Sequence, residues 1–476
     1  MKLLARTLSI LCVLRALCGS IQAGKPNILF IAIDDLNNFA LGKHPQAKTP
    51  NIDRLAKRGV LFTNAHCVVP ACNPSRTALL TGISPHVSGV YYNRQDWRKC
   101  TNLKNAVTLP EFFKKQGYKT MGGGKIYHAH SLNRQAYEGF LDPKPWHAYF
   151  PSKNQQMPIE IDPDPMPENG NPKHYGGHMD WSILDISDNE MADGQVVSWA
   201  EKQLAQKHDK PLFLAVGIYR PHVPWYTPKR WFDQFPPDDV QLPETKQGDL
   251  DDVPPVGRGF ARRTWQQWMV DNKKWHGFVR GYLASISFAD AMVGRLLDAL
   301  DKGPHAKNTI IVLWGDHGYH LGHKEHWEKF ALWEQATQVP VIFSAPGLSK
   351  GKKTNRPASL LDVYPTLVEL CGDRPSKQLN GKSLVPWLRD PGAEFKTPVI
   401  TTHGRGNHAV RSAHWRYIRY YDGSEELYDH RKDPNEFTNL ASQAPYADVK
   451  ARHAKWLPKE ESGYDPLEGV PTKWRR

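Results

Sequence analysis

The sequence has little cysteine and, after its first residues, no long hydrophobic run. Six of its 476 residues are cysteine, too scattered for the disulfide framework of a small secreted domain. Apolar residues make up 40% of the chain but form no second segment long enough to span a bilayer. Internal repeats and low-complexity tracts are also absent. These absences exclude a polytopic membrane protein, a collagen-like protein and a disordered chain, and they leave a large globular protein with a substantial core.

The first 23 residues have the pattern of a secretory signal. Lys2 and Arg6 precede a short apolar segment, and small residues lie near Ala23. The alternatives are an uncleaved anchor or a lipoprotein signal at Cys18, but the residue before Cys18 fits lipid attachment poorly. We therefore predict a signal peptide over residues 1–23, a secreted or periplasmic protein, and no stable membrane insertion once the signal is removed.

Basic residues outnumber acidic residues in this chain. Lysine and arginine total 62 against 49 aspartate and glutamate residues, which gives a formal net charge of +13. Cleavage after residue 23 removes three basic residues and leaves +10. A charge of this sign favours an acidic partner. Because a secreted protein does not meet intracellular nucleic acid, we predict no nucleic-acid partner.

Three short apolar runs predict parallel strands that are buried on both faces. The runs cover residues 26–33, 211–218 and 308–314. Polar side chains that can bind a metal or carry a proton follow each run: Asp34 and Asp35 the first, His222 the second, and Asp316 and His317 the third. Because open α/β folds build their sites at the carboxyl edge of the sheet, we expect these side chains to lie at that edge.

Helical patterns alternate with these strands and predict an α/β fold. A Thr108/Glu111 capping box marks the start of one helix, and Phe278–Leu300 has apolar residues at helical spacing. Segments 139–180 and 221–258 lack such periodicity. We expect them to be ordered loops over the carboxyl edge that shape a substrate pocket.

Short alternating runs near the C-terminus predict a second, smaller domain. They cover residues 398–403, 408–412, 415–422 and 425–429 and have the period of two that is typical of an antiparallel sheet. We therefore predict a catalytic domain over residues 24–395 and a C-terminal α+β subdomain over residues 396–476.

Cys72 begins the most informative segment of the chain, CNPSRTALLTG. Pro74 and Ser75 suit the first turn of a helix, which would place Cys72 just before the helix N-terminus, where backbone N–H groups favour an anion. A cysteine in that position is a candidate nucleophile. The position alone leaves open the alternative of a buried structural cysteine.

The pattern Cys-x-Pro-Ser-Arg over residues 72–76, with Leu-Thr-Gly at 80–82, resembles the signature of the type I sulfatases. The resemblance implies an alkaline-phosphatase-like fold, with a large mixed β-sheet flanked by helices and a smaller C-terminal antiparallel sheet. It also implies that a formylglycine-generating maturation enzyme oxidises Cys72 to Cα-formylglycine. Residue 72 would then act as a hydrated aldehyde, and Arg76 would support its developing negative charge.

The same resemblance implies a metal site. Asp34, Asp35, Asp316 and His317, together with residue 72, correspond to the family's ligands for one divalent cation, usually Ca²⁺. Carboxylate oxygens suit a hard cation of this kind. His317 is a less natural ligand for calcium, and a local hydrogen bond of its imidazole is the alternative.

Four further residues match family positions that hold the sulfate group or move protons. Lys125 and Lys329 would be cations for the sulfate oxygens, which need N–H donors around them. His222 would protonate the leaving alcohol oxygen, and His128 would act as the base on the hydrated aldehyde, although these two roles could be exchanged. The predicted mechanism is attack on sulfur by a hydroxyl of formylglycine 72 polarised by calcium, a covalent sulfo-enzyme, and expulsion of sulfate as the aldehyde re-forms.

The substrate class follows from longer matches. The runs FLAVGIYRPHVPW and GDHGYHLGHKEHWEKF are similar to iduronate-2-sulfatase and its bacterial relatives, which implies a sulfated oligo- or polysaccharide substrate whose sugar stays open. A phosphomonoester or phosphonate hydrolase of the same fold is the alternative enzyme. A secreted protein that only binds polyanions is the non-catalytic alternative, and the intact Cys72 motif argues against it.

Overall fold

The computed structural model of the protein describes residues 24–131, 137–167, 169–170, 179–394 and 397–472. The signal peptide predicted over residues 1–23 lies outside these ranges, as do parts of the predicted loop 139–180. Among the described residues, no helix is long and apolar enough to cross a membrane. The cysteines in these ranges, Cys67, Cys72, Cys100 and Cys371, are buried free thiols. The described part of the fold is therefore stabilised by its core and not by disulfides.

Strands and helices alternate along the chain, as predicted. The strands are β1 (Asn27–Ile33), β2 (Val60–His66), β3 (Lys119–Gly124), β4 (Ala129–Ser131), β5 (Tyr137–Gly139), β6 (Ala148–Phe150), β7 (Trp181–Leu184), β8 (Leu212–Ile218), β9 (Trp225–Pro228), β10 (Thr309–Gly315), β11 (His320–Leu321), β12 (Trp327–Glu328), β13 (Gln338–Ser344), β14 (Lys352–Thr354), β15 (Ala358–Ser359), β16 (Val399–Thr402), β17 (His408–Arg411), β18 (Trp415–Arg419) and β19 (Glu425–Asp429). The α-helices are α1 (Pro50–Arg58), α2 (Cys72–Thr81), α3 (Pro85–Ser88), α4 (Leu109–Lys115), α5 (Ala192–Ala205), α6 (Lys229–Phe232), α7 (Pro255–Arg258), α8 (Arg263–Asp271), α9 (Trp275–Lys302), α10 (Glu334–Thr337), α11 (Val363–Leu370), α12 (Val385–Arg389) and α13 (Ala447–Ala454).

A mixed sheet of nine strands forms the centre of the molecule. Its order is β14-β2-β13-β10-β1-β8-β3-β6, with β15 also paired to β2. The five strands β10, β1, β8, β3 and β6 run parallel, and β13 runs antiparallel to β10 and β2. The three apolar runs of the sequence are β1, β8 and β10, which are neighbours, so the prediction of buried parallel strands is confirmed.

Alternate residues of β1 pack into two different cores. Leu29 and Ile31 belong to a core that includes much of α9, whereas Ile28 and Phe30 belong to a core that includes α2 and α11. Successive residues of a strand point to opposite faces of its sheet. Because helices cover both faces here, β1 must be apolar along its whole length, which explains the uninterrupted run in the sequence.

Two predicted helices are present, but one predicted contact is not. Helix α9 extends the predicted Phe278–Leu300 by a few residues at each end. Helix α4 starts where the Thr108/Glu111 pattern predicts, yet Thr108 makes no capping hydrogen bond. Glu111 pairs with Lys115 instead, at 2.7 Å between Oε1 and Nζ. The prediction of a capping box was wrong because the acid finds a cation one turn further along its own helix.

The C-terminal runs form the predicted antiparallel sheet, β16-β17-β18-β19. Its first strand contacts the chain just after β2. The N–H of Thr402 donates to the backbone oxygen of Val68 at 2.8 Å, and the hydroxyl of Thr401 donates to that of Cys67 at 2.6 Å. This smaller sheet therefore lies close to the segment that leads into helix α2.

The loops predicted over the carboxyl edge have short elements of their own. Residues 221–258 contain β9, α6 and α7 joined by irregular chain. From the other segment, the Gln156 side chain accepts a hydrogen bond from the N–H of Tyr127 at 3.1 Å and donates to the backbone oxygen of His128 at 3.0 Å. Because these two residues follow β3, this part of the loop lies at the predicted edge.

Candidate active site

Six of the predicted site residues follow the ends of four neighbouring strands: Asp34 and Asp35 follow β1, Asp316 and His317 follow β10, Lys125 follows β3 and His222 follows β8. Ile33 is in register with Gly315 on one side and with Ile218 on the other. The N–H of Asp35 donates to a carboxylate oxygen of Asp316 at 3.1 Å. The strand ends bring these residues together, as the sequence predicts.

Helix α2 brings residue 72 to this edge. The helix begins at Cys72 itself, whereas the sequence pattern predicts that Cys72 just precedes it. The Ser75 hydroxyl in its first turn donates to the backbone oxygen of Asp316 at 2.6 Å, which ties the helix start to the end of β10. The Cys72 sulfur is fully buried and lies 3.2 Å from Nε2 of His317 and 3.5 Å from Nζ of Lys329.

Arg76, one turn further along α2, links three strand ends. Its Nε donates to a carboxylate oxygen of Asp316 at 2.8 Å, and a terminal nitrogen lies 3.2 Å from a carboxylate oxygen of Asp34. The other terminal nitrogen donates to the backbone oxygens of Lys125 and Ile126. A planar guanidinium can bridge several acceptors in this way, and a lysine ammonium cannot. Arg76 therefore fixes helix α2 against β1, β3 and β10.

Two lysines complete the positive side of the cluster. Lys125 is fully buried, forms an ion pair with Asp34, and lies 4.7 Å from the centre of the Tyr219 ring. Lys329 is 4% exposed, and its ammonium lies 2.8 and 3.1 Å from the two carboxylate oxygens of Asp35. Buried charges require partners, and these ion pairs provide them. The two lysines and Arg76 surround residue 72 with cationic N–H donors.

Burial and the neighbouring charges together set the pKa values of the groups in this cluster. Burial and the Asp34 carboxylate raise the pKa of the Cys72 thiol, so an unmodified thiol stays protonated near neutral pH. Burial also raises the pKa of Asp35, despite the nearby Lys329. At Asp34 burial acts in the same direction, but Lys125 and Arg76 outweigh it and hold the pKa of that carboxyl well below its usual range. A bare thiol at position 72 is thus a poor nucleophile.

His222 faces the same cluster from the loop after β8. Its Nδ1 lies 2.7 Å from the backbone oxygen of Val223, so Nδ1 carries the donated proton, and Nε2 lies 4.0 Å from a carboxylate oxygen of Asp35. Burial, together with the charges of Lys125 and Lys329, holds the pKa of His222 well below its usual range. The ring is therefore neutral near pH 7, and Nε2 is the atom that can gain and lose a proton on the side of the cluster.

His128 lies three residues after Lys125 and is 5% exposed. Its backbone oxygen accepts hydrogen bonds from the N–H of Phe140 and from Gln156, each at 3.0 Å. Its ring centre lies 6.0 Å from that of Phe140. These contacts place His128 beneath the loop that begins near residue 139, and its role as a base stays a prediction.

Four of the five predicted metal ligands have their ligand atoms grouped closely. Atoms of Asp34, Asp35, residue 72 and His317 all lie within 4.8 Å of one another. Nδ1 of His317 lies 3.0 Å from the backbone oxygen of Gly318, so Nδ1 is the donor and the lone pair of Nε2 points into the group. Carboxylate oxygens together with an imidazole nitrogen fit a divalent cation.

Asp316, the fifth predicted ligand, lies beside that group and is already held by hydrogen bonds. One carboxylate oxygen accepts from the N–H groups of Asp35 and His317 at 3.1 and 3.0 Å, and the other accepts from Arg76. A carboxylate oxygen has further lone pairs, so these bonds leave Asp316 able to add a ligand atom.

An acidic residue that no sequence pattern singles out holds the loop of His222. The carboxylate of Asp193, in the first turn of α5, accepts the N–H of Tyr219 at 2.7 Å and that of Arg220 at 2.9 Å. The Tyr219 ring then lies 4.8 Å from the His222 ring. No motif joins Asp193 to this loop, and an acid in the first turn of a helix is common because it suits the helix dipole. The sequence therefore carried no usable signal for this contact.

Solved structures with a similar fold cover most of this chain. One, determined in complex with its substrate D-glucosamine-2-N,6-O-disulfate, has a TM-score of 0.70 at 20% identity and covers 90% of this chain and 96% of its own. Another is the phosphonate monoester hydrolase of Agrobacterium radiobacter, with a TM-score of 0.67 at 22% identity, covering 90% and 94%. The fold is thus that of the alkaline-phosphatase-like hydrolases.

Sequence comparison identifies the family within that fold. The sulfatase family model matches residues 26–372, and a model of the C-terminal part of N-sulphoglucosamine sulphohydrolase matches residues 322–462. A sulfatase of Formosa agariphila is 40% identical over 93% of this chain and 88% of its own length. Human iduronate 2-sulfatase is 29% identical over 73% of this chain and 69% of its own length. The chain belongs to the sulfatase family and is a sulfuric ester hydrolase, as the resemblance of the Cys72 segment implied.

Proposed function

We propose that this protein removes sulfate from a sulfated oligo- or polysaccharide, with formylglycine at position 72 and one calcium ion. The observation that carries the proposal is the buried cluster around residue 72, where Arg76, Lys125 and Lys329 surround the side chain. Family membership supports sulfate ester chemistry. A saccharide substrate is supported by the relative that acts on iduronate and by the similar fold that was solved with a disulfated glucosamine.

The cluster suits a sulfate ester because that group is an anion that needs donors on several oxygens. Lys125 and Lys329 supply two ammonium groups to the cluster that contains residue 72, and both are held by carboxylates. Charge-assisted N–H donors in a buried site stabilise the charge that develops on transferring oxygens. Because the donors are fixed before substrate arrives, little reorganisation accompanies the reaction. These two lysines are therefore proposed as the sulfate-binding cations.

His222 is proposed to protonate the leaving sugar oxygen. It is neutral in the free protein because burial and two lysines disfavour its cation. A bound sulfate adds negative charge beside the ring and raises its affinity for a proton, which Nε2 then delivers. His128 is proposed as the base for the second half of the reaction. The two histidine roles follow from the motif positions and are separable by the pH dependence of each variant.

Two groups would supply what the unmodified side chains do not. Formylglycine, as its hydrate, would provide a hydroxyl nucleophile where the thiol is poorly ionised. Calcium would be held by Asp34, Asp35, Asp316 and His317 and would add positive charge beside residue 72. Arg76 would keep two of those carboxylates, on Asp34 and Asp316, in place.

A phosphomonoester or phosphonate hydrolase is the second candidate, because the fold is shared with phosphonate monoester hydrolases. The two functions differ in the atom attacked, sulfur or phosphorus, and a phosphate monoester also carries a second negative charge that a sulfate ester lacks. Comparing kcat/KM for matched aryl sulfate, phosphate and phosphonate esters on one preparation separates them. We expect the sulfate ester to be preferred, and faster turnover of either phosphorus ester would refute the choice.

The decisive experiment measures the modification of residue 72 and the release of sulfate on the same preparation. Mass spectrometry of the peptide that contains residue 72 should show the mass loss of aldehyde formation in active protein, and sulfate release should scale with the modified fraction. Cys72→Ala should abolish release. Cys371→Ala, which alters another buried free thiol, is the matched control. Full activity in protein whose Cys72 is an unmodified thiol would overturn the proposal.

Export and maturation belong to the same proposal. We infer that residues 1–23 direct the chain to a secreted or periplasmic location, and that a formylglycine-generating enzyme acts on it. The catalytic domain would span residues 24–395 and the smaller subdomain residues 396–476. N-terminal sequencing of the exported protein should begin at residue 24, and an uncleaved N-terminus would contradict the signal peptide.

A further inference from the structure

A large cavity lies against the small C-terminal sheet, and none of the chemistry above uses it. Its volume is about 1250 Å³. It is lined by the start of helix α7 and Phe260, by several residues within 405–408 and 419–425 at the small sheet, and by several within 458–464. Pockets for single small ligands measure ~300–1,000 Å³. This cavity therefore has room for more than one sugar unit.

Two sets of contacts connect the cavity to residue 72. On one side Phe260 lines the cavity, its ring centre lies 4.9 Å from that of His403, and His403 lies 6.1 Å from the ring of Phe330, the neighbour of Lys329. Three aromatic rings in series thus lead from the cavity wall to the residue next to Lys329.

On the other side Tyr464 lines the cavity, and its ring centre lies 5.9 Å from that of Tyr92. The backbone oxygen of Tyr92 accepts a hydrogen bond from the side chain of Asn73, the residue after Cys72, at 3.1 Å. A second series of contacts thus runs from the cavity wall to the residue that follows Cys72.

The charge of the cavity wall favours anions. Three basic residues, Arg405, Arg419 and Lys459, and two acidic residues, Glu425 and Glu461, line it. Glu425 accepts hydrogen bonds from Lys450 at 2.7 Å and from the Tyr417 hydroxyl at 2.5 Å. Its charge is thus already balanced by a lysine that is not one of the lining residues.

Glu461, the second acidic residue of the wall, also has hydrogen-bond partners. Glu461 lies 2.9 Å from Nε2 of His408 and accepts the N–H of Gly406 at 3.0 Å. In the part of the chain that the structure describes, Arg405 and Lys459 form no ion pair within 4.0 Å, and both are exposed. Tyr421, also in the wall, is 60% exposed. Cationic groups and an accessible aromatic ring thus meet in one cavity.

We propose that this cavity is a subsite for an anionic saccharide chain, which holds the substrate beyond the sugar that loses its sulfate. The proposal rests on the proposed sulfatase function and narrows its substrate class to anionic oligosaccharides. Sulfate or carboxylate oxygens on the neighbouring sugar accept hydrogen bonds from Arg405 and Lys459, and a sugar ring packs on Tyr421. The enzyme therefore prefers an oligosaccharide with a second anionic group over a small sulfate ester.

The test is the ratio of kcat/KM for an oligosaccharide to kcat/KM for 4-nitrophenyl sulfate. Sulfated oligosaccharides with uronate (from heparan sulfate) and without it (from carrageenan) distinguish the two sources of negative charge. Arg405→Ala should lower the ratio about tenfold for the preferred oligosaccharide, because it removes a charge-assisted hydrogen bond; a tenfold change corresponds to ~1.4 kcal/mol. Tyr421→Ala should lower it in the same direction. Arg452→Ala, at an exposed arginine of α13, should leave the ratio unchanged.

Binding measurements keep this subsite separate from the catalytic proposal. In a Cys72→Ala background, calorimetric titration with the same oligosaccharides should show about tenfold weaker binding for the added Arg405→Ala. If no sulfate ester is turned over by the unaltered protein while this binding difference holds, the proposed function fails and the subsite stands. If the ratio and the binding constant match those of Arg452→Ala for every oligosaccharide, the subsite is refuted.

Discussion

Arg76→Lys tests whether one buried guanidinium holds the catalytic cluster together. Arg76 contacts the carboxylates of Asp34 and Asp316 and the backbone oxygens after β3. A lysine keeps the charge but cannot span these acceptors, so at least one buried carboxylate loses its partner, at a cost of ~3–5 kcal/mol. For about 450 folded residues the unfolding entropy corresponds to ~1 kcal/mol per degree near the melting point. We therefore expect the melting temperature to fall by about 3–5 °C.

The same variant should lose most of its activity although it remains folded at the assay temperature. Arg76 positions residue 72 and the backbone of Lys125, and displacing such a donor costs on the order of 10²–10³ in kcat. Differential scanning calorimetry and sulfate release measure the two effects. Arg54→Lys is the matched control, because Arg54 pairs with Asp298 at 2.7 Å in an exposed position, where an ion pair contributes ~0–1 kcal/mol. If both variants melt alike and retain full activity, the reasoning about Arg76 is refuted.

Three further substitutions test other parts of the structure. Lys329→Met removes the cation beside Asp35, so we expect kcat/KM for sulfate esters to fall on the order of 10²-fold, while the exposed Lys350→Met has no effect. Asp193→Asn weakens the hydrogen bonds that hold the His222 loop, so kcat should fall and the pH profile of kcat should shift, while KM changes little. A change in KM alone would argue against a role of Asp193 in positioning His222. His326→Gln should reduce sensitivity to acid, because burial and the nearby Arg262 lower the pKa of His326 to about 3. The unfolded chain binds the extra proton below about pH 6.5, so stability is lost as pH falls from there toward 3, by ~2 kcal/mol at pH 5. Between pH 8 and pH 5 the variant should lose about 2 °C less in melting temperature than the unaltered protein, and an equal loss in both would contradict the assignment.

Structure formed by residues close in sequence could be predicted well, because strand and helix formation depend mainly on the pattern of neighbouring side chains. The apolar runs before Asp34 and Asp316 gave the strands and their buried position, since a strand covered on both faces has no place for polar side chains. The segment after Cys72 predicted the first residue of helix α2 to within one position. The Thr108/Glu111 pattern located a helix but not its contacts, because Glu111 had a second partner within reach.

Contacts between distant segments could not be predicted in this way. Asp193 reaches Tyr219 and Arg220 only because α5 packs beside the end of β8. The cavity walls come from α7, the small sheet and residues 458–464, none of which carries a motif for binding. Their chemistry depends on which partners each charge meets, as with Glu425 and Glu461.

Short patterns and strand polarity, both of which can be read from the sequence, were enough to predict the family and the edge of the sheet where the candidate site lies. Tertiary structure was needed to show the ion pairs of Lys125 and Lys329, the contacts of Asp193 that support the His222 loop, and the basic residues that line the cavity at the small sheet. Such features arise when segments far apart in the chain exclude water together, and charges buried in this way must find partners that no local pattern specifies.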